Sequence, residues 1–168
     1  MADPRSEPST VADELTLLTG FLDWHRETLV LKCSGLPDEQ LRRRAVPTSN
    51  LSLMGLARHL TKVERYWFRR VLAGEEPGEL FAATGDIDED FNDLDAATGE
   101  GTLAVWRAEV EQCRRVVAQR SLDDEGARPG AGTRYSVRWV LIHMIEEYGR
   151  HMGHADLIRE AIDGEVGE

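Results

Sequence analysis

Apolar residues recur every three or four positions along four long stretches of the chain, which is the spacing of a helix with one buried face. These stretches are residues 11–33, 49–73, 103–120 and 137–162. Residues typical of helix ends border them, with Thr10 and Ser136 as candidate N-caps and Gly35, Gly74 and Gly164 behind three of the C-termini. No segment keeps the two-residue alternation of a β-strand for long. The pattern predicts an all-α protein.

Four helices of similar length are typical of a four-helix bundle. The connection between the second and third helices, residues 74–101, is far longer than the roughly 2–8 residues that antiparallel neighbours need. A long crossover lets these two helices run parallel, which gives up-down-down-up connectivity rather than simple up-down. We expect residues 1–168 to form one domain, with residues 1–10 flexible.

The charge and composition exclude several classes of partner. The 168 residues include 20 Lys and Arg against 31 Asp and Glu, a net charge of −11. Such an acidic surface repels phosphate backbones, so nucleic acid is not an expected partner. No stretch approaches the roughly 20 apolar residues of a membrane span, and the N-terminus lacks the apolar core of a signal peptide. We expect a soluble cytoplasmic protein that contacts no membrane, with Cys33 and Cys113 as core residues.

The fourth predicted helix carries ionisable groups on its apolar face. At about 100° per residue its apolar side chains form one stripe, made of Val137, Val140, Met144, Tyr148, Ala155, Ile158 and Ile162. His151 lies near the middle of this stripe, and Glu147 lies one turn earlier at its edge. Side chains four residues apart stack on one helix face, so both groups are predicted to point into the bundle.

A buried Glu147 needs a compensating partner, because an unpaired carboxylate in an apolar interior is costly. His59 of the second helix is a candidate, since it lies at the edge of that helix's stripe between Leu56 and Val63. Two His nitrogens and one Glu oxygen from two helices match the ligand set of an open catalytic zinc site. The spacing also allows Glu147 to pair with Arg150 instead.

The other histidines and the tryptophans have simpler interpretations. His25 is expected to be a satisfied core residue, and His143 and His154 to be surface groups or groups that orient a ligand. Stripe positions place Trp67 and Trp106 in the core rather than in a ligand-stacking platform.

The side of the fourth helix opposite its core face is apolar as well. It carries Ile142, Ile145, Gly149, Met152 and Gly153. A helix that is apolar on most sides is buried on most sides, and glycines four residues apart permit close approach of another helix. We expect a homodimer through this face; the alternative is that the linker or part of the second helix covers it.

Three segments resemble the DinB-like superfamily. LSLMGLARHLTKVERYWF (residues 51–68) and SVRWVLIHMIEEYGRHMGHADLIREAIDG (residues 136–164) are similar to its second and fourth helices. The opening LDWHRETLVLKCSGLPDEQL resembles the first helix of a branch often labelled only as a domain of unknown function. The likeness covers nearly the whole chain, apart from the N-terminal ten residues and the acidic linker.

The resemblance implies an up-down-down-up four-helix bundle, frequently dimeric, that holds a divalent metal through one residue of helix two and a spaced pair in helix four. Carried over by position, the ligands would be His59, Glu147 and His151. Many members have a third histidine where this chain has Glu147, although a glutamate is also found in the mycothiol-dependent branch. The common H-R-G-Q continuation here has His154 in its last place, which makes His154 a candidate extra ligand or proton carrier.

Characterised relatives are thiol-dependent transferases and isomerases that use bacillithiol or mycothiol. The resemblance therefore implies Zn²⁺, or else Ni²⁺, and transfer of a low-molecular-weight thiol such as mycothiol to a small electrophile, or thiol-assisted isomerisation. A metal-bound thiol is deprotonated, and the thiolate is the nucleophile. His154 and Tyr148 are candidates for catalytic proton transfer or substrate contact. The alternatives are a non-enzymatic, stress-associated metal-binding bundle and a structural dimerisation module.

Overall fold

The four stretches of helical spacing form four long helical segments in the computed structural model of the protein, which describes residues 5–81 and 88–167. The helices are α1 (Glu14–Cys33), α2 (Asp38–Arg42), α3 (Leu53–Glu64) with a π-helical continuation (Arg65–Leu72), α4 (Glu89–Asn92), α5 (Gly99–Ala118) and α6 (Val137–Asp163). The described chain is mostly helical, as predicted. None of its described helices is both long enough and apolar enough to span a bilayer.

Side-chain caps decide where the long helices begin. Asp13, Ser52, Thr98 and Ser136 each accept a hydrogen bond from the backbone N–H three residues later, at 3.1 Å in every case. The predicted starts of the first two helices were three or four residues early, because Asp13 and Ser52 are the effective caps, and the third helix begins before its predicted start because Thr98 caps it. The fourth helix was predicted correctly, from the Ser136 cap to Gly164, whose φ of 81° ends it.

A short antiparallel hairpin shows that the prediction of a chain without strands was wrong. β1 (Glu125–Ala127) pairs with β2 (Arg134–Ser136) directly before α6, with Gly126 opposite Tyr135. Three-residue strands in a segment rich in Gly and Arg give no readable alternation. The hairpin packs against the end of the π-helical segment, where a Cβ on Gly126 would lie 2.0 Å from the carbonyl oxygen of Val71. Only glycine permits this approach of two backbones.

The predicted linker between the second and third long helices contains a further helix that the sequence pattern did not indicate. The helix α4 is one turn long, and Phe91 of α4 packs against α3 at Gly55, where a Cβ would lie 2.4 Å from the ring. Arg44 donates from Nη2 to the carbonyl oxygen of Phe91 at 3.0 Å. These contacts hold this part of the linker against α3.

A buried polar network joins the four long helices. Arg26 of α1 donates from Nε and Nη2 to the two carboxylate oxygens of Glu64 at the end of α3, both at 2.7 Å. Tyr148 of α6 donates to Oε1 of Glu64 at 2.9 Å, and Trp106 of α5 donates from Nε1 to the Tyr148 hydroxyl at 2.9 Å. Glu64 and Tyr148 are 0% exposed. The network therefore fixes how the four segments lie along one another.

Apolar side chains surround this network, and most of the predicted stripe of α6 is confirmed. Val137, Val140, Met144, Tyr148, Ala155 and Ile158 are buried, and Ile162 packs at the edge of the core. Cys33 and Cys113 are buried free thiols, as predicted. Burial raises the pKa of Cys33 to about 12, so this thiol is not a nucleophile at neutral pH.

The chain itself covers part of the second apolar face of α6. Met152 is buried, and Ile145 packs against the core. Gly149 faces α1, where a Cβ would lie 3.8 Å from the His25 ring, whereas Ile142 is 52% exposed. The close neighbour at Gly149 is thus α1 of the same chain, and the homodimer stays a prediction.

We expect Glu64→Gln to lower the free energy of unfolding by about 3 kcal/mol, because it removes the buried carboxylate that neutralises the Arg26 guanidinium and leaves only the partly exposed Asp23 as an anionic partner. Urea unfolding measures this. Glu111→Gln is the matched control, since it removes the same charge from an exposed pair with Arg114 and should cost less than about 1 kcal/mol. Equal effects of the two substitutions would show that the buried network contributes little.

Candidate metal centre

The structure brings together the three residues that the sequence predicts as metal ligands. α3 carries His59, and α6 carries Glu147 and His151 one turn apart. One ligand atom from each of the three lies within 4.8 Å of the others. His151 Nε2 is 3.4 Å from a Glu147 carboxylate oxygen, and the His59 and His151 ring centroids are 4.8 Å apart. Two imidazoles and a carboxylate therefore converge from two helices.

The cluster lies at the rim of the core, within reach of solvent. The side chains of His151, Glu147 and His59 are 12%, 16% and 29% exposed. A site of this kind is shielded enough to strengthen charge interactions and open enough to admit a small molecule.

His151 is kept neutral by its surroundings. Burial, together with the neighbouring charges of His59, His154 and Arg150, lowers the pKa of His151 to about 4. A neutral imidazole has a free nitrogen lone pair, which is the form that binds a metal ion. His151 is thus in its ligating form at neutral pH.

Glu147 lies close both to the histidine of the predicted metal site and to Arg150, the alternative partner that the sequence allowed. Its carboxylate oxygens lie 3.4 Å from His151, 3.6 Å from Arg150 and 3.9 Å from His143. The Arg150 side chain is 56% exposed, so this ion pair is screened by solvent and is weak. The carboxylate therefore stays available to a stronger cation.

The donor set fits a divalent cation. The Glu147 carboxylate is surrounded by nitrogens at 3.4–3.9 Å, yet among the described residues none of them donates a hydrogen bond to it. Two imidazoles and one carboxylate are the ligand types that zinc accepts, and three protein ligands leave a coordination position for a substrate. The residues present thus match the group that the family resemblance implies.

His154 and His143 lie next to the cluster. His154 Nδ1 is 3.4 Å from His151 Nδ1. His143 lies beside Glu146 and Glu147, and one ligand atom from each of these three also lies within 4.8 Å of the others. Arg150 also forms an ion pair with Glu146, the member of this second group that does not belong to the first.

The catalytic candidate Tyr148 and the remaining histidine, His25, lie apart from the cluster. The Tyr148 hydroxyl is enclosed by Trp106 and Glu64, so this position does not support the predicted substrate contact or proton transfer. Burial and the Glu64 charge raise the pKa of Tyr148 well above its usual value. His25 is half-buried on α1 facing Gly149, and burial lowers its pKa.

Trp67 is not a core residue, which corrects the prediction made from its stripe position. It is partly exposed, and its ring contacts Tyr135, Trp139 and His143 with centroids 4.8–5.1 Å apart. Trp106, by contrast, is buried as predicted. The hairpin, which the sequence did not predict, supplies Tyr135 and so explains why an aromatic cluster forms at this surface.

A cavity of about 320 Å³ lies beside the candidate metal centre. His59 and Asp90 form part of its wall, and the π-helical segment supplies Tyr66, Trp67 and Arg70. The other lining residues are Lys62, Val63, Arg65, Pro77, Gly78, Glu79 and Leu80. Aromatic rings and basic groups together suit a small ligand with apolar and polar parts. The wide turns of π-helical segments are frequent at functional sites.

Asp90 is the main residue of the site that the sequence analysis missed. It lies on α4, is 5% exposed, and places a carboxylate oxygen 3.5 Å from His59 Nδ1. Lys62 Nζ is 3.1 Å from its other oxygen. Burial by itself would raise the pKa of Asp90, but His59 and Lys62 hold it below its usual value. Nothing in the sequence distinguishes Asp90 from the many other acids of the linker.

The predicted resemblance to the DinB-like superfamily is confirmed, because a family model of that superfamily matches most of the chain. The chain belongs to the mycothiol-S-transferase family, whose model matches residues 17–164. That family is typically metal-dependent.

The solved structures support the fold. A conserved protein from Enterococcus faecalis superimposes with a TM-score of 0.65 at 15% sequence identity, covering 92% of this chain and 100% of that one. At this identity the likeness shows the fold alone. No protein with a curated description matches the chain.

We expect the metal-free protein to lose stability as the pH falls from about 6.5 to about 4. Because the pKa of folded His151 is about 4 and that of an unfolded histidine is about 6.5, unfolding takes up a proton over this interval. The loss of unfolding free energy should reach about 3 kcal/mol. Urea unfolding at a series of pH values should show that His151→Gln removes this part of the dependence. Parallel curves for the two proteins would contradict it.

Proposed function

We propose that this protein is a divalent-metal-dependent thiol S-transferase that acts on small electrophiles. The observation that carries the proposal is the convergence of His59, Glu147 and His151 beside a cavity, in a chain of the mycothiol-S-transferase family. The name of the family makes mycothiol the thiol that we propose, and Zn²⁺, or else Ni²⁺, is the proposed metal.

The three converging residues would hold the metal. His59 and His151 contribute neutral nitrogens in this proposal, and Glu147 contributes the negative charge that offsets part of the cation's charge. When bound, a divalent cation lowers the pKa of a thiol and so supplies the thiolate nucleophile at neutral pH. The buried thiols Cys33 and Cys113 are core residues and take no part.

The proposed reaction forms a carbon–sulfur bond. The thiolate sulfur attacks an electrophilic carbon, and the leaving group departs with the electrons of the bond that breaks. The thiol proton passes to a base, a role that we assign to His154 because its Nδ1 lies 3.4 Å from His151 and it is only partly buried. Tyr148 has no part in the proposal. In thiol-assisted isomerisation the same thiolate would add to the substrate and then leave again as the C–S bond breaks, so that the thiol is regenerated.

The cavity is the proposed binding place of the substrates. The Tyr66 and Trp67 rings offer apolar contact area on its wall. The pairing of Arg65 with Glu109, at 2.7 Å, keeps that part of the wall in place. A small electrophile bound here would lie next to His59.

Three predictions about the protein as a whole are part of the same proposal. The four long helices run up, down, down and up, the protein is cytoplasmic, and it is a homodimer. The 52% exposure of Ile142 and the open surface at Gly153 on α6 support the last of these.

Metal analysis and thiol consumption test the proposal. We expect the untagged wild type to retain a divalent metal and to consume mycothiol in the presence of 1-chloro-2,4-dinitrobenzene, because the site supplies the cation that activates the thiol. His59→Ala, Glu147→Ala and His151→Ala should each lose both properties. His25→Ala is the matched control, since it removes a half-buried imidazole outside the cluster.

Wild-type metal content in both His59→Ala and His151→Ala would refute the assigned ligands. If the protein binds metal but turns over no member of a panel of thiols and electrophiles, its function would be metal binding and not thiol transfer.

A further inference from the structure

A carboxylate from the linker reaches the candidate metal centre. Asp90 Oδ2 lies 3.5 Å from His59 Nδ1, and Asp90 Oδ1 lies 3.1 Å from Lys62 Nζ. His59 and Lys62 are three residues apart on α3, so one face of the helix presents both groups to the same carboxylate. Asp90 is 5% exposed, which strengthens both charge interactions.

The packing of α4 keeps Asp90 in this position. Glu89, its neighbour in sequence, pairs with Lys62 at 2.5 Å. On the other side of Asp90, the Phe91 ring lies against Gly55 and 5.9 Å from the centroid of the His59 ring. The carboxylate is therefore held by the contacts of both of its neighbours with α3.

The side of His59 that Asp90 contacts decides which nitrogen can bind a metal. A carboxylate next to Nδ1 favours the tautomer that carries its proton there, and this leaves the lone pair on Nε2. Asp90 does not belong to either group of ligand atoms within 4.8 Å of one another in the described chain. It therefore acts through His59 and is not itself one of the converging ligands.

We propose that Asp90 is a positioning residue that fixes the tautomer and the ring orientation of His59, so that Nε2 is presented to the metal. This inference rests on the proposed metal centre. It gives the acidic linker a role in the site, because one turn of that linker orients a ligand on α3. An ion pair with Lys62 that only stabilises the fold is the competing explanation.

Glu89 provides a matched control that separates the positioning of His59 from a purely structural ion pair with Lys62. It lies next to Asp90 on the same helical turn, carries the same charge and pairs with the same Lys62. It makes no ion pair with His59, unlike Asp90. Replacing either residue by alanine weakens the attachment of α4 to Lys62, but only Asp90→Ala removes the partner of the imidazole.

The first measurement is Zn²⁺ affinity, determined by competition with a chromophoric chelator. We expect Asp90→Ala to bind Zn²⁺ about 10–100-fold more weakly than the wild type, because the carboxylate beside a ligating histidine is removed. Glu89→Ala should stay within about fivefold, as is usual for a partly exposed ion pair. The Zn²⁺ affinity of Asp90→Asn should lie between these two, since its amide keeps an acceptor oxygen beside Nδ1 but not the negative charge.

The second measurement is the tautomer of His59 in the metal-free protein, read from long-range ¹H–¹⁵N correlations at a pH above about 7.5. The wild type and Glu89→Ala should carry the proton on Nδ1, and Asp90→Ala should shift it toward Nε2. This readout needs neither metal nor turnover, and the wild-type spectrum tests the proposal even if a variant does not fold.

An Nε2–H tautomer in the wild type, or equal Zn²⁺ affinities of Asp90→Ala and Glu89→Ala, would overturn the role of Asp90. A wild type that binds no Zn²⁺, Ni²⁺ or Co²⁺ would instead refute the metal centre of the proposed function.

Discussion

The ion pair between Arg26 and Glu64 is the interaction on which the arrangement of the long helices depends. It is bidentate and buried, and Tyr148 and Trp106 extend it until each long helical segment contributes one polar group. Such a pair costs desolvation energy, so its net stabilisation is smaller than its strength as an interaction. Its main effect is geometric, since a one-turn shift of any of these helices would leave a buried charge or donor without a partner.

The same network explains why α3 and α6 bring the candidate metal ligands to the same level along the bundle. His59 lies five residues before Glu64, about 7.5 Å along the helix axis, and Glu147 is next to Tyr148 in sequence. The contact between Glu64 and Tyr148 therefore sets the distance between the candidate ligand of α3 and the candidate ligands of α6. The site is built at the edge of the network, where the side chains become partly exposed and a cavity adjoins them.

Local sequence patterns were sufficient to predict the pair Glu147 and His151, because spacing within one helix determines which side chains share a face. His59 was predicted from its place beside an apolar stripe. Asp90 could not be predicted, because its approach to His59 depends on the path of a linker that has no periodicity. The sequence does mark Glu64, since it lies four residues after Leu60 of the buried stripe, where a carboxylate requires a partner.

The central claim is that one divalent cation is bound jointly by α3 and α6. Anomalous diffraction at the zinc edge, from crystals of the Zn²⁺-loaded protein, tests it most directly. The account predicts a peak about 2.0–2.2 Å from a nitrogen of His59, an oxygen of Glu147 and a nitrogen of His151. A peak held by His143 and Glu146 instead, or one that His59 does not contact, would contradict it.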